Sequence, residues 1–374
     1  MNKRNFMPLF ALGFATMAFS LSATATAPQA VSIQPFAERL QSAVQDGGYR
    51  ENDYWVWCGS VIKGGDGKFH MFASRWTKDV PFSPNWVSNS RIVRAVSDTP
   101  EGPYRYAEDV LAPRDAKYFD GRVTHNPTIH YINEQYVLFY VGTTYEDPTP
   151  KTRISDELYR KARANQRIGM ATAPSIEGPW TRRDAPVLDV RPNKWDALLT
   201  TNPAATVMPD GRILLLYKST KGQRDRLLYG AAIADQIEGP FHRLSEEPIF
   251  NTANDPKVSI EDLYVWQEGN VLQAIFKDMN GHLSGEKHAG VHAWSTDGIN
   301  WQLAKPAKAY SRDVRWNDRT VSHQGSLERP QLLIQDGKPT HLFMATTDGA
   351  LPYWKAEHTF NIVIPLQADS RKED

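Results

Sequence analysis

The chain has 374 residues, and its 43 basic and 43 acidic side chains cancel. That balance excludes the one-signed field expected of a nucleic-acid or membrane-surface binder and leaves neutral partners such as sugars open. Aromatics make up 11% of the residues, and the length allows one large all-β domain or two smaller ones.

The N-terminus reads as a signal peptide over residues 1–27. Lys3 and Arg4 precede the apolar run "FMPLFALGFATMAFSLSA", and "ATA" ends at Ala27. A membrane anchor is the rival; Pro8 and the Ser and Thr content argue against it. The expectation is a periplasmic or secreted protein with no integral membrane segment after cleavage. Cys58 is the only cysteine, so no intramolecular disulfide is possible.

From residue 50 onward the chain repeats itself. The openings are "SVIKGGDGKFHMFAS" at Ser60, "NPTIHYINEQYVLFYVG" at Asn126, "NPAATVMPDGRILLLYKS" at Asn202, "EDLYVWQEGNVLQAIFKD" at Glu261 and "ERPQLLIQDGKPTHLFMA" at Glu328. Each reads as two strands around a tight turn of Gly, Asn or Asp. A third short strand follows, such as "RIVRAV", "RIGMAT" or "AGVHAW". Then comes a turn, "EGPYRY", "EGPWTR", "EGPFHR" or "DGINWQ", that leads into an outer strand. Four-stranded units repeated radially make a β-propeller, here all-β with five blades, over residues 28–374 as a single domain. A two-sheet sandwich is the alternative, and it does not repeat this unit.

Blade five ends with "HTFNIVIPL" as its expected outer strand, and residues 32–50 are placed to help close the ring. "ISDELYRKARANQ" from Ile154 reads as a helix inserted between the second and third strands of blade two.

In a propeller the innermost strands converge on one mouth. The five blade entrances are "WCGS", "THNP", "TTNP", "SIEDL" and "SLERP". They bring together Trp57, His125, Asn126, Asn202, Glu261, Asp262, Glu328 and Arg329.

This pattern resembles the five-bladed propeller glycosidases. That group includes the arabinanases and β-xylosidases of glycoside hydrolase family 43, the invertases, the neoagarobiose hydrolases and the β-mannoside phosphorylases. The resemblance covers about residues 50–365 and rests on the blade-entrance motifs and the Gly-Pro-aromatic turns. It implies a carbohydrate ligand and carboxylate chemistry. In family 43 the first three blades supply the acids, and here Cys58, Asn126 and Asn202 stand at those places. The family's catalytic assignments therefore do not transfer, and the acids lie on blades four and five.

Glycoside hydrolysis needs two carboxyl groups, one to protonate the leaving oxygen and one to activate water or attack carbon. Glu261, Asp262 and Glu328 are the candidates. In a regular strand, alternation lets only one of Glu261 and Asp262 face the axis. Asp120 in "FDGRVTHNP" is a fourth candidate, and Asp196 in "WDALLTTNP" is its repeat; a shared loop brace is the structural alternative. Asp53 is a possible substitute for the missing first-blade acid. Lys277, Asp278, Glu286, Lys287, His288 and His292 crowd blade four as candidates to bind hydroxyls, a carboxylate or a sulfate. Trp76 or Trp86 is expected to stack on sugar. No metal motif is present; a structural Ca²⁺ near His125 or His323 is the metal option, and hydrolysis needs no organic cofactor.

The expectation is an exported, exo-acting glycosidase. Glu261 or Asp262 and Glu328 carry the protons, and His125, Asn126, Asn202, Arg329, Lys277 and Lys287 orient the sugar of an oligo- or polysaccharide. A polysaccharide lyase and a non-catalytic carbohydrate-binding propeller are the alternatives.

Overall fold

The structure is a computed structural model that describes Met1, residues 33–250 and residues 255–368. Apart from Met1, the signal-peptide assignment lies outside the described residues. Among the described residues no helix is long and apolar enough to cross a membrane.

Five sheets stand in a ring as a five-bladed β-propeller. Blade one holds β1 (Tyr54–Lys63), β2 (Phe69–Thr77), β3 (Arg91–Ser97) and β4 (Arg105–Asp109), with helix α1 (Phe82–Asn89) between β2 and β3. Blade two holds β5 (Val123–Ile132), β6 (Gln135–Thr143), β7 (Arg167–Ala173) and β8 (Thr181–Arg182), with α2 (Asp156–Ala164) at the equivalent place. Blade three is β9 (Leu199–Val207), β10 (Ile213–Thr220), β11 (Leu228–Ala234) and β12 (His242–Arg243). Blade four is β13 (Ile260–Glu268), β14 (Val271–Asp278), β15 (Gly290–Ser295) and β16 (Gln302–Tyr310). A short hairpin follows, β17 (Asp313–Arg315) with β18 (Val321–His323). Blade five is β19 (Leu327–Gln335), β20 (Lys338–Thr347) and β21 (Thr359–Pro365). Every blade is an antiparallel meander from the axis outward.

The middle strands are apolar on both faces because both are covered. Val137, Phe139, Leu215 and Tyr217 fill the seam between blades two and three. Leu214, Leu216, Val265 and Phe276 fill the next, and Val56, Phe343 and Val363 join blade five to blade one. Removing this area from water is the main favourable term in such a fold. Helix α2 starts where the sequence expects it. Ser155 caps it by accepting from Leu158 N at 3.1 Å, and Asp156 and Glu157 occupy the positive end of the helix dipole.

Ring closure uses residues from the 32–50 segment, as expected, but the outer strand of blade five is not the one expected. "HTFNIVIPL" forms the third strand of its blade, paired with β20. The outer edge is taken by residues 39–49 from the other end of the chain. Gln41 N donates to Pro365 O at 2.9 Å, Val44 N to Val363 O at 3.1 Å, and Asn361 N to Tyr49 O at 2.8 Å. An uncovered strand edge is a pairing hazard, and this segment covers it. Arg39 fastens it: buried, it pairs with Glu268 at 3.1 Å and donates to Pro339 O at 3.0 Å. Arg39→Ala leaves Glu268 without its cation and opens the seam. Urea unfolding should show a loss of about 3 kcal/mol; an unchanged midpoint would refute the clasp.

Candidate active site

One backbone feature recurs at all five blade entrances. Cys58, Asn126, Asn202, Asp262 and Arg329 have φ of 50°, 49°, 49°, 56° and 54°. At each, the pairing of the inner strand with its neighbour slips by a bulge. Asn and Asp tolerate this left-handed conformation; Cys and Arg rarely adopt it. The five residues form a polar ring on the axis. Cys58 Sγ donates to Pro127 O at 3.6 Å, Asn126 Nδ2 to Asn202 Oδ1 at 2.9 Å, and Asn202 Nδ2 to Asp262 Oδ1 at 3.3 Å. Arg329 N donates to Asp262 Oδ2 at 3.2 Å, and the Arg329 guanidinium lies 3.7 Å from Asp262 Oδ1.

The bulge corrects the alternation argument. Because Asp262 is left-handed, it does not send its side chain opposite to Glu261, and both carboxylates reach one place. Glu261, Asp262 and Glu328 bring oxygens within 4.8 Å of one another. Lys277 lies among them. Its Nζ is 3.3 Å from Glu261, 3.6 Å from Asp262 and hydrogen-bonded to Glu328. The ammonium thus stands where a cation would sit among three acids. Lys218 adds a second contact, 2.6 Å from Glu261.

These neighbours push two carboxyl groups apart. Burial would raise Glu261, but the Lys218 and Lys277 charges hold it well below the ordinary carboxylate range. Glu328 goes the other way, up to about 8. Burial is the main cause; Lys277 opposes it, and the Asp262 and Glu261 charges add to it. Lys277 itself is held charged: burial works against the ammonium, and Glu328, Glu261 and Asp262 outweigh it.

Above the ring lies a cavity of about 270 Å³. One wall is aromatic: Trp57, Phe82, Trp86, Tyr159 and Tyr353. Lys218, Glu261 and Glu328 line the cavity as well. Trp57 comes from β1; the other aromatics come from the connections between second and third strands, α1 in blade one, α2 in blade two and residues 348–358 in blade five. Of the two tryptophans expected to stack on sugar, Trp86 lines the cavity, while Trp76 is buried against Phe82.

His125 lines the same cavity. Ser90 Oγ lies 3.1 Å from Thr124 O and 2.8 Å from His125 Nδ1, so it holds the ring by a hydrogen bond at Nδ1. Burial, with Arg329 and Lys218 nearby, lowers the imidazole to about 3 and keeps it neutral. His323 is exposed and pairs with Asp313 at 2.6 Å, outside the cavity lining.

Several expected site residues lie elsewhere. Asp120 is fully buried in a brace: it accepts from Arg114 Nε at 2.6 Å, Arg182 Nη1 at 3.3 Å and Tyr140 OH at 2.7 Å. Asp196 repeats this with Arg191, Arg243 and Tyr217. Asp53 is exposed and Lys287 is exposed, and neither lines the cavity. His288 also lies outside the lining, lowered to about 4 by burial and by Lys277. Asp278 accepts the amides of Gly281, Leu283 and Ser284, Glu286 holds Arg312 N, and His292 meets Gln273 in the core. Burial pushes the Cys58 thiol up, so it is no nucleophile.

Lys218 is the main residue that sequence reading missed. Its signal was present: Lys218 pairs with Thr201 as Lys277 pairs with Glu261, at equivalent places in successive repeats. Tyr159 and Arg163 lie four apart on the expected helix, so they share a face. Tyr353 has no sequence signal, because its segment belongs to no repeat.

A larger opening of about 710 Å³ lies at the other end of the inner strands. Asp336 is the only carboxylate residue lining it, so paired-acid chemistry belongs to the smaller cavity.

Solved structures share this architecture. A family 117 glycoside hydrolase from the marine bacterium Zobellia galactanivorans matches with a TM-score of 0.63 at 16% identity, over 91% of this chain and 94% of that one. A family 43 β-xylosidase/α-arabinofuranosidase from a compost metagenome, solved with xylotriose, gives 0.55 at 14% identity, over 87% and 96%. A family 43 enzyme from Xanthomonas citri, solved with xylose, gives 0.55 at 12% identity, over 90% and 93%. This chain has the fold of the five-bladed propeller glycoside hydrolases. No protein-family model and no curated protein matches it.

The brace predicts a clean separation of stability from chemistry. Asp120→Ala strands two arginines and should lower stability by about 3 kcal/mol. Turnover per folded molecule, read on the soluble fraction, should stay at the parent value; a collapse of kcat would return Asp120 to the site.

Proposed function

We propose that this chain is an exported glycoside hydrolase that releases sugar from a chain end. Glu328 is the general acid, and Glu261 is the carboxylate that activates water or attacks carbon. The observation that carries the reading is the opposite displacement of these two carboxyl groups at the floor of one cavity. Two titratable groups whose surroundings drive them apart mark the acid and the base. The fold shared with known glycosidases supports the same reaction class.

Each neighbour has a part in the cycle. Glu328 enters protonated at neutral pH and gives that proton to the glycosidic oxygen. Its new negative charge then lies on Lys277, which stabilises it without rearrangement. Lys218 keeps Glu261 ionised throughout. Asp262 joins the floor ring to Arg329 and holds Lys277 from below. Trp57, Trp86 and Tyr353 offer flat apolar faces to the sugar ring. Neutral His125 hydrogen-bonds a sugar hydroxyl. The polar ring closes the floor, which suits a chain end better than the middle of a polymer. The charged, apolar and small-residue order of residues 1–27 supports export.

The test is a panel of plant and algal oligosaccharides with product mass spectrometry. Release of a terminal sugar, lowered about 10²–10⁴-fold by Glu328→Gln, is expected. Binding without turnover would replace the enzyme with a carbohydrate-binding propeller. An unsaturated product that persists in Glu328→Gln would mean a lyase. The pH profile gives a second check. kcat/KM should fall above about pH 8, as Glu328 loses its proton. The acid limb should lie well below the ordinary carboxylate range, because Glu261 is held ionised. Lys218→Met removes one of its two cations and should move that limb upward while the alkaline limb stays near its place.

A further inference from the structure

The cavity is positive although the chain as a whole is neutral. Arg163, Lys218 and Arg329 line it, and Lys277 sits at its acids. Against these four cations stand Glu261 and Asp262, with Glu328 holding its proton to about pH 8.

Three of the cations are matched. Lys218 and Lys277 face Glu261, and Arg329 lies 3.7 Å from Asp262. Arg163 is different. It is half-buried, it lines the cavity, and among the described residues it has no carboxylate partner. Its side chain is nevertheless held. Gln223, from the loop between β10 and β11, donates through Nε2 to Arg160 O at 2.8 Å and accepts from Arg163 Nη1 through Oε1 at 3.4 Å. The glutamine fastens the helix and orients the guanidinium. Arg163 also lies one turn beyond Tyr159, which is close enough to Glu261 to feel its charge. A guanidinium presents a planar fork of donors that matches an oxyanion.

We infer that Arg163 binds an anionic substituent, a carboxylate or a sulfate, on the sugar held in this cavity, so that the substrate class is an acidic oligosaccharide. The inference rests on the sugar-binding reading of the same cavity, and the experiment separates the two.

Binding is measured by calorimetry on full-length Glu328→Gln protein, and turnover on the parent. The probes are uronate oligosaccharides with their carboxyl-reduced counterparts, and sulfated galactan oligosaccharides with their desulfated counterparts. One acidic probe should bind at least about tenfold more tightly than its neutral counterpart. Which of the two does so distinguishes carboxylate from sulfate. Adding Arg163→Gln should abolish that difference, and Arg163→Lys should restore part of it. Charge-selective binding without turnover by the parent upholds this inference and defeats the hydrolase reading. Tighter binding of neutral probes, no binding of the acidic ones by folded protein, or a preference unaffected by Arg163→Gln overturns it.

Discussion

The site depends on a backbone constraint repeated five times. Each inner strand is interrupted at its entrance by a left-handed residue, and each interruption turns a side chain onto the axis. The ring ties neighbouring blades together at these residues: amide to amide, amide to carboxylate, and backbone N–H to carboxylate. Without the bulge at Asp262, regular alternation would send Glu261 and Asp262 to opposite faces, and the acid cluster would not exist. The same bulge at Arg329 sets Glu328 beside them.

That geometry puts three acids around one lysine, and the division of labour follows from what else each acid touches. Glu261 has a second lysine, Lys218, and stays ionised. Glu328 shares Lys277 with two other carboxylates, and burial lifts it. Asp262 is tied into the ring. Three residues that look alike in sequence thereby sit in three different electrostatic settings, and the differences are single contacts.

Much of this was legible in the sequence. The five blade-entrance positions read from the repeat are the five left-handed residues, and "SIEDL" and "SLERP" hold the three acids that cluster. The helix from Ile154 was legible through its cap and its place between strands. The brace around Asp120 was legible as an alternative, since Asp196 repeats it with the same kind of partners. Lys218 was missed although its repeat equivalent, Lys277, was found, because a lysine at the end of an apolar strand looks like a solvated edge until the neighbouring blade is set beside it.

By itself the sequence determined the five-bladed architecture, because turn chemistry and strand periodicity are local and recur with each blade. It also determined which acids were available. Only the tertiary structure decided how they differ. The shift of a carboxyl group depends on burial and on charges from other blades, and Lys218, Glu261 and Glu328 come from three different ones. The edge of blade five was decided there too: the sequence placed residues 32–50 at the closure, but only the closed circle makes residues 39–49, and not the strand after His358, its outer edge.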